Sequence, residues 1–304
     1  MNVRQLTHGC AAVLCLVATL IFPLYAAAET QTIDVGGVKR SYELIGASTG
    51  KPRPLILALH GNMGTGAQFL KYAGWDKLAA AQQIVVAAPD GTNRAWNDGR
   101  SPAEFMGRKP ASGIDDVAFL TELVEHLITR GIADRRSVFV TGISNGGMMT
   151  YRLLCDRTAL FAAGAAVIAN MPDSSTRKCR PSRPVPMLIM NGTADRLIPY
   201  EGKPGSFLST AQTAAFWRAL NGCAADPQRQ WLPPRSSGNG TKVERISYKC
   251  PQANQVVVYR VENGGHQMPS HSTAFVLEAM LGPRNRDIEG AEEIWAFFSQ
   301  FVIK

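Results

Sequence analysis

One serine of this chain lies in a segment that favours nucleophilic chemistry. Residues 142–146 read Gly-Ile-Ser-Asn-Gly and match the pattern G-x-S-x-G, in which the serine occupies a tight turn between a strand and a helix. An apolar run precedes Ser144 and a helical pattern follows it. A second match at 46–50 places Ser48 before Lys-Pro-Arg-Pro, which does not open a helix easily. We therefore predict Ser144 as the nucleophile and interpret Ser48 as a loop residue.

A general base is needed to activate Ser144, and in folds with this motif it follows the serine along the chain. His60 and His126 precede Ser144, so we interpret His60 as structural and His126 as solvent-exposed. His266 follows the last strong strand pattern, and the two glycines before it allow the loop to turn the imidazole back toward the serine. We predict His266 as the base, with His271 as the alternative. Activity should then fall in acid as His266 becomes protonated.

An acid is expected between the serine and the histidine, at the end of the strand before the last. The apolar run at 186–190 leads into Asn-Gly-Thr-Ala-Asp, a turn-rich loop that ends on Asp195. Ligand groups collect at the carboxyl ends of strands in open α/β sheets. We predict that Asp195 orients the histidine and stabilises its charged form, with Asp173 and Glu201 as alternatives.

The tetrahedral intermediate of acyl transfer needs backbone N–H donors. The first should belong to Asn145, directly after the nucleophile, and the second to the loop that follows the strand at 55–59. In that loop we choose Asn62, with its neighbours Gly61 and Met63 as alternatives.

The order of the elements indicates how these residues are brought together. Strand and helix patterns alternate along the chain, which predicts an α/β fold with a mostly parallel sheet and helices on both faces. With 304 residues, of which 45% are hydrophobic, the chain can form one large core, so we predict a single catalytic domain over 29–304. The expected strands are 55–59, 84–88, 137–141, 162–169, 186–190 and 256–261, after a hairpin at 32–46. The expected helices are 67–82, one from 115, one from 145, 207–221 and 291–302.

A long segment from Gly91 to Gly113 has no clear periodicity, and long loops of this kind are often functional. Trp96 lies within it. The sequence leaves open whether Trp96 forms a wall of a substrate pocket or anchors the loop in the core.

The first 28 residues are typical of an export signal. One arginine precedes an apolar stretch from Cys10 to Leu24, and Ala26-x-Ala28 offers a small-residue cleavage site. The stretch is shorter than the roughly 20 residues of a spanning helix. We therefore expect a signal peptide over 1–28, a secreted or periplasmic product and no stable membrane anchor.

Four cysteines remain after that segment, an even number in an oxidising compartment, and they allow three disulfide pairings. We favour Cys155–Cys179 and Cys223–Cys250, each closing a loop of about 25 residues and worth roughly 3 kcal/mol. No C-x-x-C pair is present, which argues against a zinc site, and we expect no metal.

The formal net charge is +8, but the basic residues are spread along the chain. No helix pattern carries a basic stripe, so we expect no nucleic-acid partner. The cationic surface could help the protein meet an acidic polymer. The sequence does not indicate the oligomeric state.

Taken together, several segments resemble those of the secreted polyhydroxybutyrate depolymerase, feruloyl esterase and acetyl-xylan esterase group. The resemblance implies an α/β-hydrolase fold, the same three triad residues, the local disulfide pairing, an ester substrate and no cofactor. Hydroxyalkanoate oligomers or related small esters are the expected substrates. The alternatives are a feruloyl or acetyl-xylan esterase, a secreted serine peptidase and a non-catalytic binding protein on this scaffold. The matching segments are 59–61, 113–120, 142–149, 191–195 and 264–266.

This sequence departs from that group in two respects. Relatives often carry a tryptophan two residues after the catalytic histidine, where this chain has Met268, so an aromatic substrate platform is not expected there. Polymer-degrading relatives usually append a linker and a binding domain, whereas this sequence ends at Lys304 just after its last helix pattern. We therefore expect soluble oligomeric or small esters as substrates.

Overall fold

The computed structural model describes residues 28–47, 50–101, 107–235, 240–272 and 278–302. Most of the expected export signal, and Ser48, lie outside these residues, so both interpretations stay predictions. None of the described helices combines the length and apolar character needed to span a bilayer.

The described strands form one ten-stranded sheet, in the order β1-β2-β4-β3-β5-β6-β7-β10-β9-β8. The six central strands from β4 to β10 run parallel, and the two at each edge pair antiparallel. The predicted α/β-hydrolase fold with a mostly parallel sheet is confirmed. The strands are β1 Glu29–Val35, β2 Val38–Ile45, β3 Arg53–Leu59, β4 Val85–Pro89, β5 Ala133–Ile143, β6 Ala163–Val167, β7 Met187–Gly192, β8 Gln228–Trp231, β9 Lys242–Lys249 and β10 Gln255–Glu262.

The sheet divides the core into two halves, and helices cover both of its faces. Alternate residues of each buried strand face opposite sides, so Leu57 belongs to one cluster and Ile56 to the other. Helices α3, α4 and α6 pack on the first cluster, and α1, α2 and α8 on the second. The helices are α1 Gly66–Ala73, α2 Trp75–Gln82, α3 Asp116–Thr129, α4 Asn145–Asp156, α5 Asp173–Thr176, α6 Thr210–Asn221, α7 Glu278–Leu281 and α8 Gly290–Phe298.

Several elements differ from the sequence-based predictions. The single helix predicted over 67–82 is two helices, because Gly74 adopts a left-handed conformation (φ 73°) that ends α1 and begins α2. The strand predicted over 162–169 ends at Val167, since Ile168 also has a positive φ. Strands β8 and β9 were not predicted; β9 pairs antiparallel with β10, and β8 is exposed along its whole length.

Two disulfides join the cysteines as predicted. Cys155 at the end of α4 pairs with Cys179, just after α5, and Cys223, after α6, pairs with Cys250, after β9. Each bond therefore connects the end of a helix to a segment that lies further along the chain.

Candidate active site

Ser144 lies on a strained turn between β5 and α4. Its backbone has φ 52° and ψ −120°, and its N–H donates to the carbonyl of Val167 on the neighbouring strand (3.0 Å). A Cβ atom added at Gly142 would lie 2.3 Å from the carbonyl oxygen of Gly146, and one at Gly146 would lie 2.3 Å from that of Leu59. Both glycines of the motif are therefore required by backbone contacts, and they allow the serine to project from the carboxyl edge of the sheet.

Asp195 and His266 meet at the same edge, from the loops that follow β7 and β10. The Nδ1 atom of His266 lies 2.7 Å from Oδ2 of Asp195, and both side chains are buried. The other carboxylate oxygen accepts the N–H groups of Leu197 and Ile198, each at 2.8 Å. Because the carboxylate accepts a hydrogen bond from the N–H at Nδ1, the imidazole is held in the tautomer whose Nε2 can accept a proton.

Ser144 and His266 line one cavity of about 500 Å³. In the parts of the chain that the structure describes, no Asp, Glu, Lys or Arg side chain lines this cavity. Met63, Leu197 and Met280 are apolar side chains at its edge and are 57%, 39% and 60% exposed. Since burying an unpaired charge is costly, the cavity suits an uncharged group. The other lining residues with large apolar or aromatic side chains are Phe69, Tyr72, Ile143, Ile168, Ile198 and Leu281.

Of the two predicted oxyanion donors, Asn62 lines this cavity and Asn145 directly follows the lining residue Ser144. Within the described residues, the backbone N–H groups of Asn62 and Asn145 have no hydrogen-bond partner. The N–H of Met63, by contrast, donates to the carbonyl of Arg94 (2.9 Å), which removes Met63 as an alternative donor. A Cβ at Gly61 would lie 3.5 Å from Cβ of Ser144, so this loop packs directly against the serine turn.

The side chain of Asn145 is clamped by the long loop at 91–113. Its Oδ1 accepts the Trp96 N–H (2.7 Å), and its Nδ2 donates to the Trp96 carbonyl (3.0 Å) and to Asp98 (2.7 Å). Asp98 also forms a buried ion pair with Arg100. This clamp holds the first residue of α4, directly after Ser144.

Trp96 and His60 serve as anchors of the loops around the site. Trp96 is fully buried, does not line the cavity, and donates from Nε1 to the carbonyl of His60 (2.9 Å). Of its two interpretations, the structure supports the loop anchor. His60 bridges Gly61 and Gly91 through its two ring nitrogens, at 2.7 and 3.0 Å. Burial lowers the pKa of His60, which favours the neutral ring that this bridging requires.

The same loop is tied to α3. Asp116 is buried, pairs with Arg40 (2.8 Å) and accepts the N–H of Asn97 (2.7 Å). Asp115 caps α3 by accepting the N–H of Ala118. Asp116 therefore attaches the loop that holds Asn145 to α3, and Asp115 caps that helix.

The alternative site residues lie elsewhere. His271 contacts the carbonyl of Arg286 (2.9 Å) and lines a different cavity, and His126 is half-buried rather than exposed. Met268 is buried in the core, and its N–H donates to the Tyr72 hydroxyl (3.1 Å). The position that carries tryptophan in relatives is therefore not part of the cavity wall here. Among the described residues, no group of three or more His, Cys, Asp or Glu side chains could hold a metal ion.

Sequence reasoning did not single out the cavity walls. Ile168 and Leu197 lie in connections that follow β6 and β7, and that position is the one signal that could have identified them; Met280 lies in the short helix α7. Apolar residues of this kind are also the ordinary material of a core, so their types alone carry no indication of a site.

Comparisons with known proteins agree with this fold. The profile of the Prolyl oligopeptidase family matches residues 78–178. "Putative esterase NocK" of Nocardia uniformis subsp. tsuyamanensis is 30% identical over 288 residues, which cover 88% of this chain and 81% of that protein. Feruloyl esterase B of Piromyces equi is 25% identical over 230 residues, 71% of this chain but 40% of that enzyme.

A solved structure resembles the whole fold. The acetyl xylan esterase from Aspergillus awamori superimposes with a TM-score of 0.62 at 16% identity, covering 91% of this chain and 100% of that one. This likeness supports the fold, and the relationship to NocK extends over most of both sequences. The chain belongs to the α/β-hydrolase esterase family that includes NocK and the feruloyl esterases.

Proposed function

We propose that this protein is a serine hydrolase of carboxylic esters, with Ser144 as nucleophile, His266 as base and Asp195 as the orienting acid. The observation that carries the proposal is the meeting of the strained serine turn and the buried Asp195–His266 pair at one uncharged cavity. A strained serine turn beside such a pair is the arrangement that acyl transfer uses on this fold.

In the proposed reaction, Nε2 of His266 takes the proton of Ser144 as its oxygen attacks the ester carbonyl. The backbone N–H groups of Asn62 and Asn145 hold the resulting oxyanion. His266 then gives the proton to the departing alcohol, which leaves an acyl group on Ser144. Water repeats the attack with His266 as the base, and the carboxylic acid leaves. None of these steps needs a metal or an organic cofactor.

For the substrate, we propose uncharged esters with an apolar or aromatic acyl group. The absence of charged side chains among the described lining residues supports this class, as do the exposed apolar side chains at the cavity edge. Feruloyl esters are favoured by the relatives named feruloyl esterases. Hydroxyalkanoate oligomers are the second candidate, on the motif resemblance. We also propose a secreted or periplasmic location, which two disulfides support.

The test is a substrate panel measured with the purified protein, Ser144→Ala and Ser48→Ala. The panel contains p-nitrophenyl acetate, butyrate and octanoate, methyl ferulate, a 3-hydroxybutyrate oligomer, acetylated xylan and the p-nitroanilide that matches the butyrate. Ser48→Ala is the matched control because Ser48 occupies the second G-x-S-x-G segment. We expect Ser144→Ala to lose at least about 1,000-fold in kcat/KM and Ser48→Ala to lose nothing.

Three results would contradict the proposal. Esterase activity retained in Ser144→Ala would remove Ser144 as the nucleophile. Faster cleavage of the anilide than of the ester would favour a peptidase, the activity named in the partial family match. No cleavage of any substrate, together with no labelling of Ser144 by an organophosphonate, would indicate a non-catalytic scaffold.

A further inference from the structure

One wall of the cavity has an unusual backbone. Ile168 follows β6 with φ 46°, in the left-handed region that β-branched residues rarely adopt. It lines the cavity and is 4% exposed. Met63 and Ser144, which line the same cavity, also have positive φ. Backbone outliers that collect around one cavity indicate that the surrounding structure imposes them, as is common at functional sites.

The conformation of Ile168 is held by hydrogen bonds on both sides. Its N–H donates to the carbonyl of Met190 on β7 (2.8 Å). The residue before it, Val167, accepts the N–H of Ser144, so this segment is attached to the nucleophile itself. The residue after it, Ala169, is held by one buried side chain, that of Asn191.

Asn191 forms a clamp on the backbone of Ala169. Its Oδ1 accepts the Ala169 N–H (2.9 Å), and its Nδ2 donates to the Ala169 carbonyl (3.3 Å). The same Nδ2 also donates to Asn170 (2.9 Å) and Thr210 (3.0 Å). Asn191 therefore bonds to both the N–H and the carbonyl of Ala169, the residue that follows Ile168, and it fixes the backbone conformation there.

A glycine at 168 would adopt this φ without strain, but it would leave that wall of the cavity open. The isoleucine side chain thus forms this wall of the cavity, and it also belongs to the core cluster on that face of the sheet. Packing alone predicts that shortening Ile168 lowers stability. A role toward substrate predicts a change in which esters the cavity accepts.

We propose that Ile168 limits the size of the ester group that packs against this wall, and that Asn191 is the positioning residue that holds Ile168 in place. This inference rests on the proposed esterase function and names the part of that site which selects among substrates. One methylene more or less in an apolar pocket discriminates between neighbouring substrates by about 10- to 200-fold.

The first experiment measures kcat/KM for Ile168→Val and Ile168→Ala on two series of esters. One series varies the acyl chain from acetate to octanoate on p-nitrophenol, and the other varies the alcohol on a constant acetyl group. We expect Ile168→Ala to raise the preference for the larger member at least tenfold in one series only, and Ile168→Val to change it in the same direction by less. The series that responds identifies the side of the ester that this wall contacts.

Ile246→Ala is the matched control, because Ile246 is also buried in the core but does not line this cavity. It should lower the melting temperature without changing either preference. A uniform loss in both series for Ile168→Ala, or an equal change in Ile246→Ala, would overturn the inference. A wild-type protein that hydrolyses no ester would instead refute the proposed function itself.

The second experiment tests Asn191 against Asn221. Asn221 forms the same kind of clamp on Val185, accepting its N–H (2.9 Å) and donating to its carbonyl (2.7 Å), but away from the cavity. We expect Asn191→Ala, and not Asn221→Ala, to change the preference in the same series as Ile168→Ala. In Ile168→Gly, adding Asn191→Ala should cause no further change, because the wall has gone. Equal effects of the two asparagine variants would remove the positioning role.

Discussion

Replacing Asp195 by asparagine is the sharpest test of the site, because the two carboxylate oxygens have different partners. Oδ1 accepts two backbone N–H groups, and Oδ2 faces Nδ1 of His266. An asparagine must therefore keep its oxygen on the backbone side and turn its NH₂ group toward the imidazole. The reversed orientation would leave two buried N–H groups unpaired, at about 1–3 kcal/mol each.

An NH₂ group facing Nδ1 requires that nitrogen to accept a hydrogen bond. The imidazole proton must then move to Nε2, the atom that should take the proton of Ser144, so His266 cannot act as a base. A wrong tautomer in an otherwise intact site costs about 10,000-fold in rate. At about 1.36 kcal/mol per factor of ten, this is about 5.4 kcal/mol of transition-state stabilisation.

The assay is kcat/KM on p-nitrophenyl butyrate together with the melting temperature, for Asp195→Asn and for Asp173→Asn. Asp173 is the control because it is one of the two alternative acids and has no contact with His266 in the described structure. We expect Asp195→Asn to lose about 10,000-fold with little change in melting temperature, and Asp173→Asn to be unaffected. A loss below tenfold in Asp195→Asn, or equal losses in both, would refute the assignment.

Three further predictions concern the framework. Burial lowers the pKa of His60 in the folded protein. As the pH falls below about 6.5, the unfolded chain therefore binds a proton before the folded protein does, and the free energy of unfolding decreases. His60→Gln should remove that component, up to about 1.4 kcal/mol per pH unit in denaturant titrations. Gly146→Ala places a Cβ 2.3 Å from the Leu59 carbonyl, which displaces the loop after β3 that carries Asn62 and should lower kcat/KM about 100-fold. Removing the Cys155–Cys179 bond with paired alanines should lower the free energy of unfolding by about 3 kcal/mol.

Each of these has a clear contrary result. The same pH dependence of unfolding in wild type and His60→Gln would show that another group titrates. Wild-type activity in Gly146→Ala would mean that the loop after β3 does not contribute to the site. For the disulfide, an unchanged free energy of unfolding in the alanine pair would contradict the prediction. Wild type measured in a reducing agent is the control, since it should lose at least as much stability as the alanine pair.

Much of the candidate site could be predicted from local patterns. Ser144 is preceded by a strand and surrounded by glycines, and Asp195 and His266 each end a turn that follows an apolar strand. The alternation of strands and helices predicted the parallel centre of the sheet, and parallel strands bring their carboxyl ends to one edge. The structure places Nδ1 of His266 2.7 Å from Oδ2 of Asp195, and Ser144 lines the same cavity as His266.

Other features depend on contacts that no local pattern contains. The clamp on Asn145 comes from Trp96 and Asp98, which lie 49 and 47 residues away along the chain. The break at Gly74 interrupts a helical pattern, and the left-handed Ile168 interrupts a strand pattern, although the residue types continue both patterns.

The sequence by itself determined which polar residues follow the strands at the edge of the sheet, because backbone sterics and side-chain periodicity act over a few residues. The tertiary structure alone decided which apolar residues became cavity walls. Met268 became core, whereas Ile168, Leu197 and Met280 became lining. The reason is physical: an apolar side chain gains from burial wherever it packs, so only the packing of distant segments leaves some of these side chains facing an open space.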